Sequence, residues 1–210
     1  MPESTDQAPS PPIKAPSQLK AMMVFGVSVI LAAMVVAYWQ HHHSYHLAVV
    51  QDGVLYRDGF KSPAQFVATL ENIHPHTVVS LIDPFEAVDP KKPQLAAEAE
   101  LCAEHRVTLD RIPVRLGGWP TSEDIQSFLK IVSDPQNQPV LVHCAQGVRR
   151  TGFFVAAYQE SVLGYDKAKA ESSILNFGHS VTTVDQIKRF IDGYDPKAET
   201  VPADLGRGTE

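Results

Sequence analysis

His143-Cys144-Ala145-Gln146-Gly147-Val148-Arg149-Arg150-Thr151-Gly152 follows the apolar run Pro139-Val140-Leu141-Val142 and leads into Phe153-Phe154-Val155-Ala156-Ala157. That order reads as strand, tight loop and helix, with a cysteine opening the loop and an arginine closing it after five intervening residues. Such a loop is an anion cradle with a nucleophile at its base. Its backbone N–H groups turn inward, and the free N–H groups and positive dipole end of a helix starting near Thr151 add to them. Helix N-termini and cationic neighbours lower a cysteine pKa from about 8.5 to roughly 3.5–7.5, so Cys144 is expected as thiolate. Arg150 presents two parallel donors to a tetrahedral oxyanion. Ala145, Gln146, Gly147, Val148 and Arg149 are the expected substrate-binding stretch, with Gly147 supplying backbone freedom.

The signature Cys-x5-Arg-Thr, with His143 before it, Gly147 inside and Gly152 after, resembles the phosphate-binding loop of the cysteine-based protein tyrosine phosphatases. The short catalytic portion, from about Val49 to Tyr194, is most similar to the dual-specificity branch. The resemblance implies a phosphatase working through a cysteinyl-phosphate, with Cys144 as nucleophile, Arg150 binding the phosphoryl oxygens and Thr151 steadying the thiolate. Thr151 also reads as an ordinary helix N-cap. His143, at the end of a strand before the nucleophile, is expected to hold the loop and point away from substrate. Arg149 reads either as a solvated surface charge or as an enlargement of the positive rim.

The family places an acidic proton donor on a mobile loop about thirty residues before the cysteine. Here the corresponding stretch, Ile112-Pro113-Val114-Arg115-Leu116-Gly117-Gly118-Trp119-Pro120, has no carboxylate. Asp110 lies inside the preceding strand. Asp83, at the end of another strand, is the preferred substitute, followed by Glu123 and Asp124, whose other reading is helix capping. Gly117-Gly118-Trp119-Pro120 is expected to form a lid with Trp119 lining the pocket. Without an acid, aryl phosphates outpace alkyl ones, and phosphotyrosine outpaces phosphoserine or phosphothreonine. A phosphoinositide phosphatase and a catalytically weak phosphate-binding module are the alternatives. A rhodanese-like sulfurtransferase is a third, opposed by the Arg-Thr-Gly ending.

Working outward, 210 residues with 44% apolar content and a net charge of -6 suit one ordinary domain with appendages and give no reason to expect nucleic-acid binding. Two cysteines, Cys102 and Cys144, make neither a disulfide framework nor a zinc site. No cofactor or metal is called for. Cys102, in a helical pattern, reads as a buried structural thiol, with a resolving thiol as the other reading.

Strand and helix alternate through the domain expected at 47–195. A hairpin at Asp52-Gly53 joins two strands, Ser62-Pro63 starts a helix, and 77–82 and 107–114 are strands. Helices are expected at 93–105, from Thr121 or Ser122 to 133, and as three C-terminal segments over about 152–163, 166–177 and 184–194. The fold class is α/β, a mostly parallel central sheet flanked by helices, with the cysteine loop at the carboxyl edge where such sheets bind ligands.

Ala21–Trp39 contains no charged residue, and nineteen positions span about 28 Å as a helix, near the roughly 30 Å of a bilayer core. A single transmembrane helix at 21–39 is expected, with a cleaved secretory signal as the alternative. Lys14 and Lys20 precede it and the next lysine or arginine is Arg57, which puts the N-terminus in the cytoplasm and the catalytic domain outside it. Residues 1–20 are expected as an unfolded Pro-rich tail, 40–46 as a juxtamembrane linker and 196–210 as a loose tail. His41, His42, His43 and His46 read as a wet interfacial stretch rather than a metal site.

Overall fold

Val140, Leu141 and Val142 lie at the centre of a five-stranded sheet, fully buried on both faces as their unbroken apolar run requires. The computed structural model describes residues 17–43, 46–174, 177, 180–203 and 205. The chain divides into two units, Met1–His41 and His42–Glu210.

In the first unit, α1 spans Ser17–His43, so Ser17–Lys20 and Gln40–His43 are helical rather than tail and linker. Its described side chains are those of 22–36, where Met22, Phe25, Ile30 and Val35 stand exposed. No helix among the described residues is long and apolar enough to cross a membrane. The tail expected at 1–16, the rest of the linker at 44 and 45, and the side chains of His41, His42 and His43 lie outside the described residues.

In the second unit, β1 (Ala48–Gln51) pairs antiparallel with β2 (Leu55–Gly59), and Gly53 at φ +70° makes the turn between them. β3 (Thr77–Ser80), β4 (Thr108–Arg111) and β5 (Val140–Cys144) complete the sheet in the order β1-β2-β5-β3-β4. Three pairings are parallel and only the β1 edge is antiparallel, so the sheet is mixed, with the expected parallel core. β5 lies between β2 and β3, and Gly59 is in register with Cys144. Chain crossovers leave to opposite faces from there, which opens a crevice at the carboxyl end of β5.

One face carries α2 (Pro63–Ile73), capped by Ser62 and started by a proline, and α4 (Glu98–Glu104) behind a 3-10 turn at Pro93–Ala97. Phe66, Leu70, Leu95, Cys102 and Leu141 form its core. The other face carries α5 (Ser122–Ser133), opened by a Thr121–Asp124 capping box, and α6 (Arg149–Ser161), α7 (Lys167–Ile174) and α8 (Val181–Gly193). Phe128, Phe153, Phe154, Ile187 and Phe190 pack there with Val140, Val142 and Cys144. Cys102 and Cys144 therefore belong to different cores, and Cys102 is a structural thiol, pushed up to about 12 by burial.

Three expectations are corrected. The strand expected over 77–82 stops at Ser80, and Asp83-Pro84 starts a short helix, α3 (Pro84–Ala87), since an aspartate N-cap followed by proline is itself a helix-start signal. α6 begins at Arg149 with Val148 as its cap, so Thr151 is inside the first turn and is not the N-cap. Residues 196–203 are not loose: Ser122 Oγ accepts a hydrogen bond from Val201 N at 2.9 Å, Asp195 bridges Thr200, and Leu205 is buried. The remaining tail positions, 204 and 206–210, are outside the description.

Candidate active site

β5 delivers Cys144 to the floor of a cavity of about 530 Å³, and the turn from β5 into α6 wraps the sulfur. Ala145, Gln146, Val148, Arg149 and Arg150 line that cavity with Cys144, as the sequence led us to expect. Gly147 does not line it. Its amide instead donates to Cys144 Sγ at 3.2 Å, and its φ of +69° is the left-handed conformation a glycine adopts freely. A Cβ on Gly147 would stand 2.4 Å from Asp58 O, and one on Gly59 would stand 2.6 Å from the Gln146 carbonyl. The loop and the end of β2 thus touch backbone to backbone.

Burial at 2% exposure pushes the Cys144 thiol up, yet its net shift is downward. The Arg150 charge, the Thr151 hydroxyl and the amides of Thr151 and Gln146 outweigh the desolvation. Thr151 Oγ1 is wholly buried and has no hydrogen-bond partner of good geometry among the described residues, so its influence on the sulfur is through proximity.

Arg150 is held from outside the loop. Its Nη1 donates to Leu81 O and Val114 O, each at 3.1 Å, and both guanidinium Nη atoms meet the Glu86 carboxylate, Nη1–Oε2 at 2.5 Å and Nη2–Oε1 at 3.3 Å. Glu86 also takes Lys92 Nζ at 2.9 Å. Burial raises the Glu86 pKa, but the Arg150 and Lys92 hydrogen bonds and charges bring it below the ordinary carboxylate range. Glu86 was not legible as a site residue in the sequence; its one signal was the helix start at Asp83-Pro84, which makes Glu86 a first-turn residue.

Asp83 itself caps α3, accepting from Phe85 N at 2.9 Å, and lines a neighbouring depression rather than the Cys144 cavity. Glu123, Asp124 and Asp110 line a separate cavity. None of the expected proton donors Asp83, Glu123 and Asp124 is brought to the sulfur, and Glu86 is the one carboxylate among the residues lining the Cys144 cavity. Leu116 and Gly117 line it in place of Trp119, which stacks on Phe153 at 5.0 Å between ring centroids.

Arg149 is neither a free surface charge nor a simple rim. Its Nη2 donates to Gly117 O at 2.9 Å and Gly118 O at 2.6 Å, and its guanidinium lies over Phe153 at 5.0 Å, so it ties the lid segment to the loop. Lys61 and Lys92 add positive charge to the cavity wall. On the opposite face of the sheet, His143 is fully buried against Phe66, with Nε2 3.1 Å from Glu98 Oε1, while Glu98 accepts from Ser80 Oγ and pairs with Arg111. His143 holds the strand end and does not reach the cavity. His46 Nδ1 donates to Gln146 O at 2.6 Å, a contact between the hairpin entrance and the loop that its place in a histidine run did not suggest.

A family described as a dual-specificity/tyrosine phosphatase (DSP-PTPase) fused to NAD+ kinase matches residues 76–192. The dual specificity protein phosphatase TpbA of Pseudomonas aeruginosa is 32% identical over 123 residues, 55% of this chain and 47% of that protein. The TpbA crystal structure has a TM-score of 0.57 at 26% identity, covering 74% of this chain and 89% of the solved one. The inositol diphosphatase DSP2 of Oryza sativa subsp. japonica is 31% identical over 116 residues, 55% of this chain and 53% of that protein. The core catalytic domain of the PP-IP phosphatase Siw14 of S. cerevisiae, solved with citrate, shares the fold with a TM-score of 0.57 at 20% identity, covering 71% of this chain and 85% of that one. The chain thus spans about half the length of these two curated relatives.

Proposed function

This chain belongs to the DSP-PTPase family matched over residues 76–192, and from that premise we propose that it hydrolyses phosphate esters through a cysteinyl-phosphate. The observation that carries the proposal is a wholly buried thiol whose pKa is nonetheless lowered, beneath inward amides and beside Arg150. Cys144 thiolate attacks phosphorus, the Sγ–P bond forms, and the P–O bond to the leaving group breaks. Water then attacks the same phosphorus, the S–P bond breaks, and orthophosphate leaves with the thiolate restored. Loop amides and Arg150 hold the equatorial oxygens through both steps, so catalysis is positioning and electrostatics.

Glu86 is engaged by Arg150 and Lys92 and kept ionised, so it does not serve as the acid at neutral pH. The leaving oxygen draws its proton from solvent, which favours leaving groups that need none. Phosphotyrosine fits that requirement, with phosphoserine and phosphothreonine slower. A phosphate leaving group fits it too. Lys61, Lys92 and Arg149 around the cavity, together with the inositol diphosphatase and PP-IP phosphatase among the relatives, support a second reading in which a polyphosphorylated inositol or phosphoinositide is the substrate.

The full chain should hydrolyse p-nitrophenyl phosphate under reducing conditions and Cys144→Ser should not. Absence of turnover by the wild type leaves the phosphate-binding reading. A panel of phosphotyrosine peptide, phosphoserine peptide, phosphoinositide vesicles and an inositol diphosphate separates the substrate readings.

Residues 21–39 are proposed as a retained membrane anchor, supported by their uncharged composition and the exposed apolar side chains of 22–36. Lys14 and Lys20 support a cytoplasmic N-terminus with the catalytic domain on the far side. Resistance to alkaline carbonate extraction tests the anchor, and protease accessibility of the domain in sealed vesicles tests the side.

A further inference from the structure

We infer that Arg57 is a positioning residue for the Cys144 loop, a second guanidinium that turns a cradle amide inward from beneath and stands behind the sulfur as a positive charge bonded by no carboxylate among the described residues. The inference rests on the cysteine-phosphatase reading of the site and adds to it a residue on β2, outside the Cys-x5-Arg signature.

The first part is peptide geometry. Arg57 Nη2 donates to Gly147 O at 2.7 Å in a buried contact. In a planar trans peptide the carbonyl and the next N–H point in opposite directions. Drawing the Gly147 carbonyl down to Arg57 therefore turns the Val148 N–H up toward the cavity that Val148 lines. The preceding peptide shows the same device: His46 takes the Gln146 carbonyl from outside, and the Gly147 N–H of that peptide lands on Cys144 Sγ. Two successive amides of the cradle are thus aimed by cationic or polar side chains pulling on their carbonyls.

The second part is charge. Arg57 is 1% exposed, and its Nε and Nη1 have no hydrogen-bond partner among the described residues. The neighbouring carboxylate of Asp58 is turned elsewhere, to Gly59 N, Gln65 and Thr69. The Phe177 ring lies 3.6 Å from the guanidinium carbon and holds it flat. Burial lowers the Arg57 pKa to about 10, and Cys144 is the foremost charge opposing that drop. Seen from the sulfur, Arg150 and the groups of Thr151 and Gln146 weigh more. Arg150, however, is already paired side-on with Glu86, whereas among the described residues no carboxylate bonds Arg57 and Asp58 acts on it only through its charge.

The test compares Arg57→Lys, which keeps the charge, with Arg57→Gln, which keeps a donor for Gly147 O and loses the charge, both in the full chain. The pH dependence of Cys144 alkylation by iodoacetamide is followed, with Cys144→Ser as blank. It reads the thiol directly and needs no turnover, so it stands even if the phosphatase reading fails. Arg57→Gln should move the alkylation midpoint up by about one pH unit while Arg57→Lys leaves it within a few tenths. Both should lower kcat for p-nitrophenyl phosphate at least tenfold, since neither side chain reproduces the reach of the guanidinium Nη2 to Gly147 O. Equal midpoints in all three proteins, with only the thermal midpoint changed, overturn the inference. Should Arg57→Gln not fold, Arg57→Lys decides alone: a tenfold loss of kcat at unchanged KM and alkylation midpoint supports positioning, and wild-type kcat overturns it.

Discussion

Glu86 meets Arg150 with both carboxylate oxygens, Oε2 on Nη1 at 2.5 Å and Oε1 on Nη2 at 3.3 Å, and the pair is almost wholly buried. That pair, with the carbonyls of Leu81 and Val114, fixes the guanidinium that the proposed reaction uses to hold the phosphoryl oxygens. Removing one partner of a buried pair strands the other charge and costs about 3–5 kcal/mol. Glu86→Gln should therefore lower the thermal midpoint and cut kcat/KM for p-nitrophenyl phosphate at least tenfold, measured by calorimetry and steady-state kinetics.

The same pair sets an acid limit on stability. Glu86 and Glu98 both have folded pKa values below the ordinary 4.5, so each contributes stability that is present above about pH 4.5 and lost as pH falls through the lowered value. Unfolding free energy from urea melts should fall as pH drops below 4.5. In Glu86→Gln that slope should be shallower, because one of the two carboxylates no longer titrates.

Asp83 is occupied as the α3 cap, and its variants should behave as cap variants. Asp83→Ala should cost about 1 kcal/mol of stability, and Asp83→Asn should leave the ratio of aryl to alkyl phosphate turnover unchanged. A selective loss of alkyl phosphate turnover in Asp83→Asn would instead make this residue the proton donor.

Arg149 holds the carbonyls of Gly117 and Gly118. Arg149→Ala should free that segment, with faster amide hydrogen exchange over 115–119 and a severalfold rise in KM, while the pH dependence of Cys144 alkylation moves less than in Arg57→Gln.

Gly59→Ala would place a Cβ 2.6 Å from Gln146 backbone, and backbone cannot step aside as a flexible side chain can. Its kcat should fall by about two orders of magnitude, consistent with the sensitivity of catalysis to ångström-scale misplacement, with the sheet intact by circular dichroism.

The parts of the site that were legible in the sequence are contiguous. Cys144 to Arg150 is a single turn of chain, and local sterics and donor geometry largely set its shape, so the strand–loop–helix order was readable from the residues alone. The sheet was legible for a similar reason, since buried central strands leave unbroken apolar runs such as Val140-Leu141-Val142. What was missed is non-local. Glu86 lies 64 residues from Arg150, and Arg57 lies 90 from Gly147. Neither separation leaves a periodic trace, and a lone Glu or Arg in a short helix or strand looks like any solvated charge until the sheet order puts β2 and β3 on either side of β5. Asp83 misled because a carboxylate at the carboxyl edge of a sheet is as suited to capping the next helix as to giving up a proton.

The glycines at 59 and 147 have a consequence for anyone transplanting this chemistry. Because each occupies the space that the other's missing side chain would fill, the heptad from Cys144 to Arg150 is one half of a mated pair, and Arg57-Asp58-Gly59 is the other. Grafted alone onto a foreign scaffold, the heptad would keep its letters and lose its shape.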